Sequence, residues 1–231
     1  MTKTILITGS NRGIGFEIAR QLGSAGHHVI LSGRDGAHLN DSVSALGKEK
    51  INASGLFMDV SNNSSIQRAA VELNRMDFQI DVLINNAAIL LKQDKNLLRD
   101  DFELLEKTIR VNSFGALKVI RELLPLINRP GRIINISSEG GSMSDHVGGW
   151  SPAYCVSKTL LNAITRQLAD QLSGENISVN AVCPGWVKTR MGGKSATRHV
   201  EKGAETPVWL AIEAPQNLTG KFFRDKQQIE W

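Results

Sequence analysis

The sequence lacks several features that mark other classes of protein. Only two of its 231 residues are cysteine, Cys155 and Cys183, too few for a disulfide framework, so we expect free thiols. Lysine and arginine form no basic run and the formal net charge is +4, which argues against nucleic-acid binding. No apolar stretch approaches the roughly 18 residues of a membrane helix, and the N-terminal apolar run is too short for a signal peptide. We therefore expect a cytoplasmic protein without nucleic-acid or membrane partners.

Metal chemistry and serine hydrolysis also lack their usual signatures. His27 and His28 are adjacent and the other three histidines lie far apart, so none has the spacing of a metal site and we expect no bound metal. A Ser-His-Asp hydrolase needs a nucleophile elbow of the form G-x-S-x-G after a strand. No such elbow follows the predicted fifth strand, which argues against this rival class of enzyme.

Short apolar runs alternate with helical periodicity along the chain. The predicted strands cover 4–8, 28–32, 54–58, 80–84, 132–136, 177–182 and 220–223, and the predicted helices cover 14–22, 66–73, 101–124 and 154–172. Strands that alternate with helices predict βαβ units and a parallel sheet, and continuously apolar strands indicate helices on both faces. We therefore predict an α/β fold, with one Rossmann-type domain over residues 1–231 and a doubly wound parallel sheet of about seven strands.

A glycine-rich segment joins the first predicted strand to the first predicted helix. Gly9 permits a tight turn, Gly13 lets the backbone approach a pyrophosphate, and Gly15 lets the helix pack closely on the strand. The helix N-terminus offers free N–H groups to phosphates. Because the segment follows a strand and precedes a helix, we predict a dinucleotide site. Its predicted members are Gly9, Asn11, Arg12, Gly13, Ile14 and Gly15.

The end of the second strand decides which dinucleotide is bound. An acidic residue there suits the ribose hydroxyl of NAD, whereas an arginine suits the 2′-phosphate of NADP. The sequence places Arg34 just past the strand and Arg12 in the glycine loop, and two guanidinium groups can clamp one phosphate. Asp35 is the complication, because its carboxylate could face the ribose instead. We predict NADP(H) over NAD(H).

Two further strand ends are predicted to extend the cofactor site. Asp59 follows the third strand and either approaches the adenine or is a turn or helix-cap aspartate. The fourth strand ends in two asparagines and two alanines, whose amides can fasten neighbouring backbone and whose small side chains leave room for a cofactor. The predicted cofactor contacts here are Asp59, Val60, Asn86, Ala87 and Ala88.

A second constellation carries catalytic residue types. Tyr154 and Lys158 are four residues apart on a predicted helix, so their side chains share one face. A Tyr-x-x-x-Lys pair alone often occurs by chance on a solvated helix face. Here, however, Ser138 lies at the end of the fifth strand and Asn112 lies in the preceding helical stretch. With the glycine loop, the Asn-Asn-Ala-Ala run and a later Pro-Gly turn, these motifs follow the order typical of short-chain dehydrogenases/reductases. The chain resembles that family over nearly its whole length.

The resemblance implies an oxidoreductase that moves hydride between NADP(H) and a carbonyl or alcohol. Carbonyl reduction needs a proton donor within hydrogen-bond reach of the oxygen, a role that the resemblance gives to Tyr154. A free phenol has a pKa near ~10, and we expect the ammonium of Lys158 to lower it. The resemblance further implies that Lys158 holds the nicotinamide ribose, that Ser138 rather than Ser137 binds the substrate oxygen, and that Asn112 holds a water linked to Lys158.

The same resemblance implies that the turn after the sixth strand lies beside the nicotinamide. Val187 would present backbone groups to the carboxamide and Thr189 its hydroxyl, although a Pro-Gly pair in isolation is a simple turn. The predicted contacts are Pro184, Gly185, Val187 and Thr189.

The segment 139–150 lengthens the gap between Ser138 and Tyr154 to sixteen positions. Together with the stretch 184–193 and the terminus 222–231, this gap resembles the carbonyl-reductase branch of the family, which includes sniffer and C-factor proteins. The segment either walls the substrate site or is a solvated glycine-rich loop. Candidate substrate contacts, with the same alternative open for each, are Met143, His146, Trp150, Trp186 and Met191.

Two other functions remain open at this point. One is an NAD(P)-dependent alcohol dehydrogenase that works in the oxidative direction with the same residues. The other is a cofactor-binding signalling or regulatory protein with low turnover. The expected partner is a small-molecule carbonyl or alcohol, and the resemblance implies a homodimer or homotetramer that pairs through the helical segments 112–126 and 154–172.

Overall fold

The computed structural model describes residues 1–145 and 150–231. The strands are β1 (Thr4–Ile7), β2 (His28–Gly33), β3 (Ala53–Phe57), β4 (Ile80–Asn85), β5 (Ile127–Ile136), β6 (Ile177–Val182), β7 (Phe222–Arg224) and β8 (Gln227–Ile229). The helices are α1 (Gly13–Ser24), α2 (Gly36–Lys48), α3 (Asn63–Arg75), α4 (Phe102–Ile109), α5 (Gly115–Leu123), α6 (Pro152–Gln171) and α7 (Val200–Ile212).

The strands form one sheet in the order β3-β2-β1-β4-β5-β6-β7-β8. Every neighbouring pair is parallel except β7 and β8, which are antiparallel. The order reverses at β1, which pairs with both β2 and β4. Ligands of such sheets bind at this switch point, beyond the carboxyl ends of the strands. The doubly wound α/β class is confirmed, with eight strands instead of about seven.

Each central strand contributes to two core layers, one on each face of the sheet. Leu6 packs with Ile30 and Leu83 in the layer covered by α3, α5 and α6. Its neighbours Ile5 and Ile7 belong to the opposite layer, which α1, α2 and α7 cover. Because both faces are covered, successive residues of β1, β2 and β4 are buried on alternate sides and are mostly apolar. This two-sided burial fixes the strand ends that carry the candidate site.

Three elements were missing from the sequence prediction. The helix α2 buries only Leu39, Ser42 and Leu46, which is too narrow an apolar face to give a clear helical period. The helix α7 contains Pro207 in its interior, a residue that normally ends a helix. Strand β8 is three residues long and mostly exposed, so it has no apolar run to mark it.

The long helix predicted from residue 101 is interrupted. Between α4 and α5, residues Arg110–Phe114 form a π-helical turn. Such turns insert one extra residue into the helical ladder and frequently occur at functional sites. This one carries Asn112, which it presents toward the loop after β4 and toward α6.

Candidate active site

The glycine loop and the Asn-Asn-Ala-Ala run meet at the switch point. Gly9 has a φ of +62°, and a Cβ there would lie 2.8 Å from the Cα of Ala87. A Cβ at Gly15 would lie 2.4 Å from Nδ2 of Asn86. That amide donates to the carbonyl oxygens of Thr8 and Gly9, each at 2.9 Å. Asn86 therefore holds the loop in shape, and the two glycines are required for it to fit.

The turn after β6 closes on the same loop. A Cβ at Gly13 would lie 3.5 Å from the Thr189 methyl, and Gly13 itself has a φ of +61°. Gly185 has a φ of +77°, and a Cβ there would lie 2.5 Å from Nε of Arg198. Val187 is buried, and Thr189 accepts a hydrogen bond from the Gly192 N–H at 3.0 Å. The predicted nicotinamide turn thus lies next to the start of α1.

Asp35, the complication in the choice of dinucleotide, is committed to helix α2. Its Oδ1 accepts the His38 N–H at 3.1 Å, and its Oδ2 lies 2.9 Å from His38 Nδ1. These hydrogen bonds from His38 lower the pKa of Asp35. Arg12 and Arg34 are both exposed, at the loop after β1 and the end of β2.

Asp59 forms a turn that leads into α3. Its Oδ1 accepts the N–H of Ser61 at 2.9 Å and the Ser61 hydroxyl at 2.7 Å, while Asn62 caps α3. Val60 is buried, and its carbonyl oxygen would lie 2.9 Å from a Cβ placed on Gly115. Asp59 is therefore a turn aspartate, as one of the two sequence alternatives proposed; its approach to an adenine stays a prediction.

Tyr154, Ser138 and Lys158 come together at the ends of β5 and β6. Tyr154 is buried in the first turn of α6, and the Ser138 hydroxyl lies near enough to the phenol to lower its pKa. The ammonium of Lys158 lies 5.5 Å from the centre of the Tyr154 ring and donates to the carbonyl oxygen of Ile136 at 2.7 Å. Ser137 is buried with its hydroxyl 3.5 Å from the Lys158 carbonyl oxygen. Of the two serines, Ser138 is the one that meets the phenol.

Burial acts against the lowered pKa that we expect for Tyr154, and the effect of Lys158 together with oxidised nicotinamide stays a prediction. Burial raises the pKa of Tyr154 above its ordinary value of 10.0, and the nearby Ser138 hydroxyl offsets only part of that rise. Burial also lowers the pKa of Lys158 from 10.5 to about 7. The physical reason is that the site takes both groups out of water, which disfavours their charged forms.

Asn112 ties three parts of the site together. Its Oδ1 accepts the Ile89 N–H at 2.8 Å, and its Nδ2 donates to the Ile89 carbonyl oxygen at 2.9 Å and to Ser157 Oγ at 3.0 Å. The side-chain amide is therefore occupied in holding the loop after β4 against α6. The water that the family resemblance assigned to Asn112 has no free N–H to accept from this side chain.

The candidate substrate wall lies beside Tyr154. The Trp150 indole is centred 5.9 Å from the Tyr154 ring, and a Cβ on Gly140 would lie 3.1 Å from it. Met143 is exposed and its N–H donates to the Trp231 carbonyl oxygen at 2.9 Å. Trp186 and Met191, in the turn after β6, are also exposed. His146 lies outside the described residues.

One contact in the site carries no local sequence signal. The carboxylate of Asp94, in the loop after β4, accepts hydrogen bonds from the backbone N–H groups of Ala153 and Tyr154. Both cysteines are free, and burial raises the pKa of Cys155 to about 11, so this neighbour of Tyr154 is a poor nucleophile near neutral pH.

The described ranges, 1–145 and 150–231, contain neither a cluster of metal ligands nor a membrane-spanning helix. No group of three or more His, Cys, Asp or Glu side chains in these ranges is arranged to hold a metal ion. None of the helices in the same ranges has the length and apolar character that crossing a membrane requires.

The chain is similar to known proteins over its full length. A family model described as short chain dehydrogenase matches residues 3–199. Carbonyl reductase [NADPH] 1 of Mus musculus is 35% identical, with 98% of this chain and 97% of that protein covered. The Sus scrofa protein of the same name is 34% identical, with 100% and 94% covered.

Solved structures agree with this similarity. Carbonyl reductase Sniffer of D. melanogaster superposes with a TM-score of 0.89 at 27% identity, over 100% of both chains. An actinorhodin polyketide ketoreductase variant with NADPH superposes with a TM-score of 0.84 at 27% identity, over 96% of this chain and 94% of the other. The chain therefore belongs to the short-chain dehydrogenase/reductase family, with carbonyl reductases among its relatives.

Proposed function

We propose that this protein is an NADPH-dependent carbonyl reductase that converts an aldehyde or ketone to an alcohol. The observation that carries the proposal is the buried phenol of Tyr154, which lies near Ser138 and close to Lys158. The relatives named as NADPH carbonyl reductases support the same reaction. The bound NADPH would supply the hydride.

In the reducing direction, Tyr154 would be the proton donor. Because burial raises its pKa, the phenol keeps its proton at neutral pH and can donate it to the substrate oxygen as hydride reaches the carbon. Ser138 donates a hydrogen bond to the same oxygen and stabilises the charge that develops there. An oxidative dehydrogenase would use the same phenol, once ionised, as the base, so the cofactor ratio and the pH distinguish the two directions.

Lys158 and Asn112 support this proton donor. The Ile136 carbonyl oxygen holds the Lys158 ammonium beside the phenol, where it can meet the ribose of the nicotinamide. The Asn112 side chain keeps α6 in place through Ser157. A water that links Lys158 to solvent would have to accept from a group other than the Asn112 amide, because both of its N–H groups are already bonded.

The cofactor loop fits a dinucleotide. A side chain at Gly9 or Gly15 would collide with Ala87 or Asn86. The loop backbone is therefore not covered by side chains at these positions, and the N–H groups at the start of α1 would bind the cofactor phosphates. Arg12 and Arg34 would clamp the 2′-phosphate of NADPH, since Asp35 is engaged by His38. Asn11, Ile14, Asp59, Val60 and Ala88 would line the remainder of the site.

The proposal is tested by following NADPH absorbance across a panel of aldehydes, diketones, quinones and keto-steroids, with Tyr154→Phe as the matched control. Oxidation of NADPH by the wild type and its loss in the variant would support a reductase. Cofactor binding, seen as a change in NADPH fluorescence, without any oxidation would instead favour a regulatory binder. Turnover found only with alcohols and NADP⁺ would favour the oxidative dehydrogenase.

The assembly and location of the protein also belong to this proposal. Exposed apolar side chains, Phe114 and Val156, lie just before α5 and on α6. We expect these helices to pair two copies, as a homodimer or homotetramer located in the cytoplasm. Light scattering after size-exclusion chromatography would measure the mass, and a monomer at all concentrations would contradict the pairing.

A further inference from the structure

Helix α6, which carries Tyr154, begins without a cap of its own. Its N-cap residue, Ser151, has a φ of +36° and makes no side-chain cap hydrogen bond, and Pro152 occupies the first turn. The first N–H groups of any helix lack partners within the helix and need acceptors from elsewhere. In α2, α3 and α4 that acceptor is the N-cap side chain itself, namely Asp35, Asn62 and Asp101.

Asp94 supplies the missing cap from a distant part of the chain. Its Oδ1 accepts the Ala153 N–H and its Oδ2 accepts the Tyr154 N–H, each at 2.9 Å, across 59 and 60 residues. The Asp94 side chain belongs to a residue that is only 1% exposed. A carboxylate suits this position because it offers two acceptors and its charge is favourable at a helix N-terminus.

The bonded N–H belongs to Tyr154 itself, so the contact acts on the backbone that carries the phenol. The loop that holds Asp94 also holds Ile89, which is bound on both backbone groups by Asn112. Asn112 in turn bonds Ser157, one turn further along α6. The loop after β4 therefore fixes α6 at two successive turns, first at Ala153 and Tyr154 and then at Ser157, which precedes Lys158.

We propose that Asp94 is a positioning residue that sets where the Tyr154 phenol stands relative to the substrate oxygen. The inference rests on the proposed role of Tyr154 as proton donor. Misplacement of a reacting group by about 1 Å can cost on the order of a hundredfold in rate. Loss of the Asp94 cap should therefore reduce the rate of the chemical step more than it weakens binding of either substrate or cofactor.

The experiment compares Asp94→Ala and Asp94→Asn with a matched control, Asp101→Ala. Asp101 caps the neighbouring helix α4 locally, by accepting the Glu103 N–H at 3.0 Å, and touches neither Ala153 nor Tyr154 by a cap bond. We expect Asp94→Ala to lower kcat by about tenfold or more, with KM and the NADPH dissociation constant within about twofold of wild type. Asp94→Asn keeps one acceptor and should be intermediate, whereas Asp101→Ala should leave kcat unchanged.

A second readout does not depend on turnover. Tyr154 is the only tyrosine in the chain, so protein grown with fluorotyrosine gives one fluorine NMR resonance from the site. That resonance should shift or broaden in both Asp94 variants and stay in place in Asp101→Ala. If Asp94→Ala does not fold, Asp94→Asn is compared by the same two measurements.

The two proposals fail in different ways. Wild-type protein that oxidises NADPH, with an Asp94 variant that is folded, keeps the wild-type kcat and shows an unmoved resonance, would reduce Asp94 to a cap that only stabilises the fold. Wild-type protein that reduces no carbonyl compound would instead overturn the proposed function, whatever the Asp94 variants do to the resonance.

Discussion

The ammonium of Lys158 lies 5.5 Å from the centre of the Tyr154 ring, yet it donates its hydrogen bond to the Ile136 carbonyl oxygen. Both side chains are buried, and burial works against charge on each of them. The pKa of the phenol is raised and that of the amine is lowered to about 7. Burial therefore favours the neutral form of each side chain.

The ionisation of Tyr154 can be followed directly because it is the only tyrosine in the chain. In the folded protein without cofactor, we expect no tyrosinate absorbance below its ordinary pKa of 10.0, since burial raises the pKa. The unfolded chain in denaturant should ionise near ~10, as a free phenol does. Tyrosinate that appears in the folded protein near neutral pH would show that the ammonium of Lys158 outweighs burial.

Replacing Lys158 by methionine should stabilise the folded protein while it abolishes reduction. At a pH below the pKa of Lys158 in the unfolded chain, folding must either remove a proton from this lysine or bury its charge. Both cost free energy, so replacing the lysine should raise the free energy of unfolding by about 1–3 kcal/mol. The variant should still bind NADPH measurably, and activity should fall by about a hundredfold. Urea unfolding at several pH values measures the stability, with the exposed Lys107→Met as control.

The pH dependence of this gain has a definite sign. Between about 7 and the ordinary lysine pKa of 10.5, the unfolded wild-type chain binds more protons than the folded one, so its free energy of unfolding rises with pH. The advantage of Lys158→Met should therefore be largest at the low end of this window and shrink toward the high end. An advantage that is constant with pH would contradict a lowered pKa of Lys158.

Arg34→Asp should move the cofactor preference from NADPH toward NADH. The guanidinium would no longer meet the 2′-phosphate, and the new carboxylate would repel it while suiting a ribose hydroxyl. We expect the ratio of kcat/KM for NADPH to that for NADH to fall by about tenfold or more. The control is Arg68→Asp, an exposed position on α3 that undergoes the same charge change. If Arg34→Asp and this control gave the same ratio of kcat/KM for NADPH to that for NADH, the assignment of Arg34 to the 2′-phosphate would be contradicted.

Gly15→Ala should disable the cofactor loop. The new Cβ would lie 2.4 Å from the Asn86 amide and 2.9 Å from the Gly9 carbonyl oxygen, so the loop must shift, at a cost of about 1–3 kcal/mol. The NADPH dissociation constant, measured by fluorescence, should rise strongly. The control is Gly36→Ala at the start of α2, where nothing lies within 4 Å of the added Cβ, and this variant should bind NADPH as the wild type does. Equal NADPH affinities in the two variants would contradict the role of the glycine loop in cofactor binding.

The sequence predicted the parts of the site that rest on local patterns. The contacts of Gly9 and Gly15 follow from the adjacency of β1 and β4, which any doubly wound sheet of this kind provides. The sequence does not determine the role of Asp35, because the same carboxylate can cap a helix or bind a ribose hydroxyl. The hydrogen bond from the His38 N–H shows that it caps α2.

Other features depend on tertiary structure and could not be predicted. The pairing of Asp94 with Ala153 and Tyr154 spans 59 and 60 residues and leaves no periodic pattern. The spacing of Tyr154 and Lys158 indicates proximity and hence a lowered phenol pKa, but the burial that acts against it comes from the packing of α6 on the sheet. The π-helical turn at Asn112 likewise interrupts an apolar pattern that reads as one continuous helix.

The most direct test of the central claim is the single-turnover rate of hydride transfer in Tyr154→Phe, measured with NADPH already bound and a carbonyl substrate that the wild type reduces. The account predicts a rate lower by about a hundredfold to ten-thousandfold, with an unchanged NADPH dissociation constant, because the ring remains and only the transferable proton is removed. A variant that transfers hydride at the wild-type rate would contradict the assignment of Tyr154 as the proton donor.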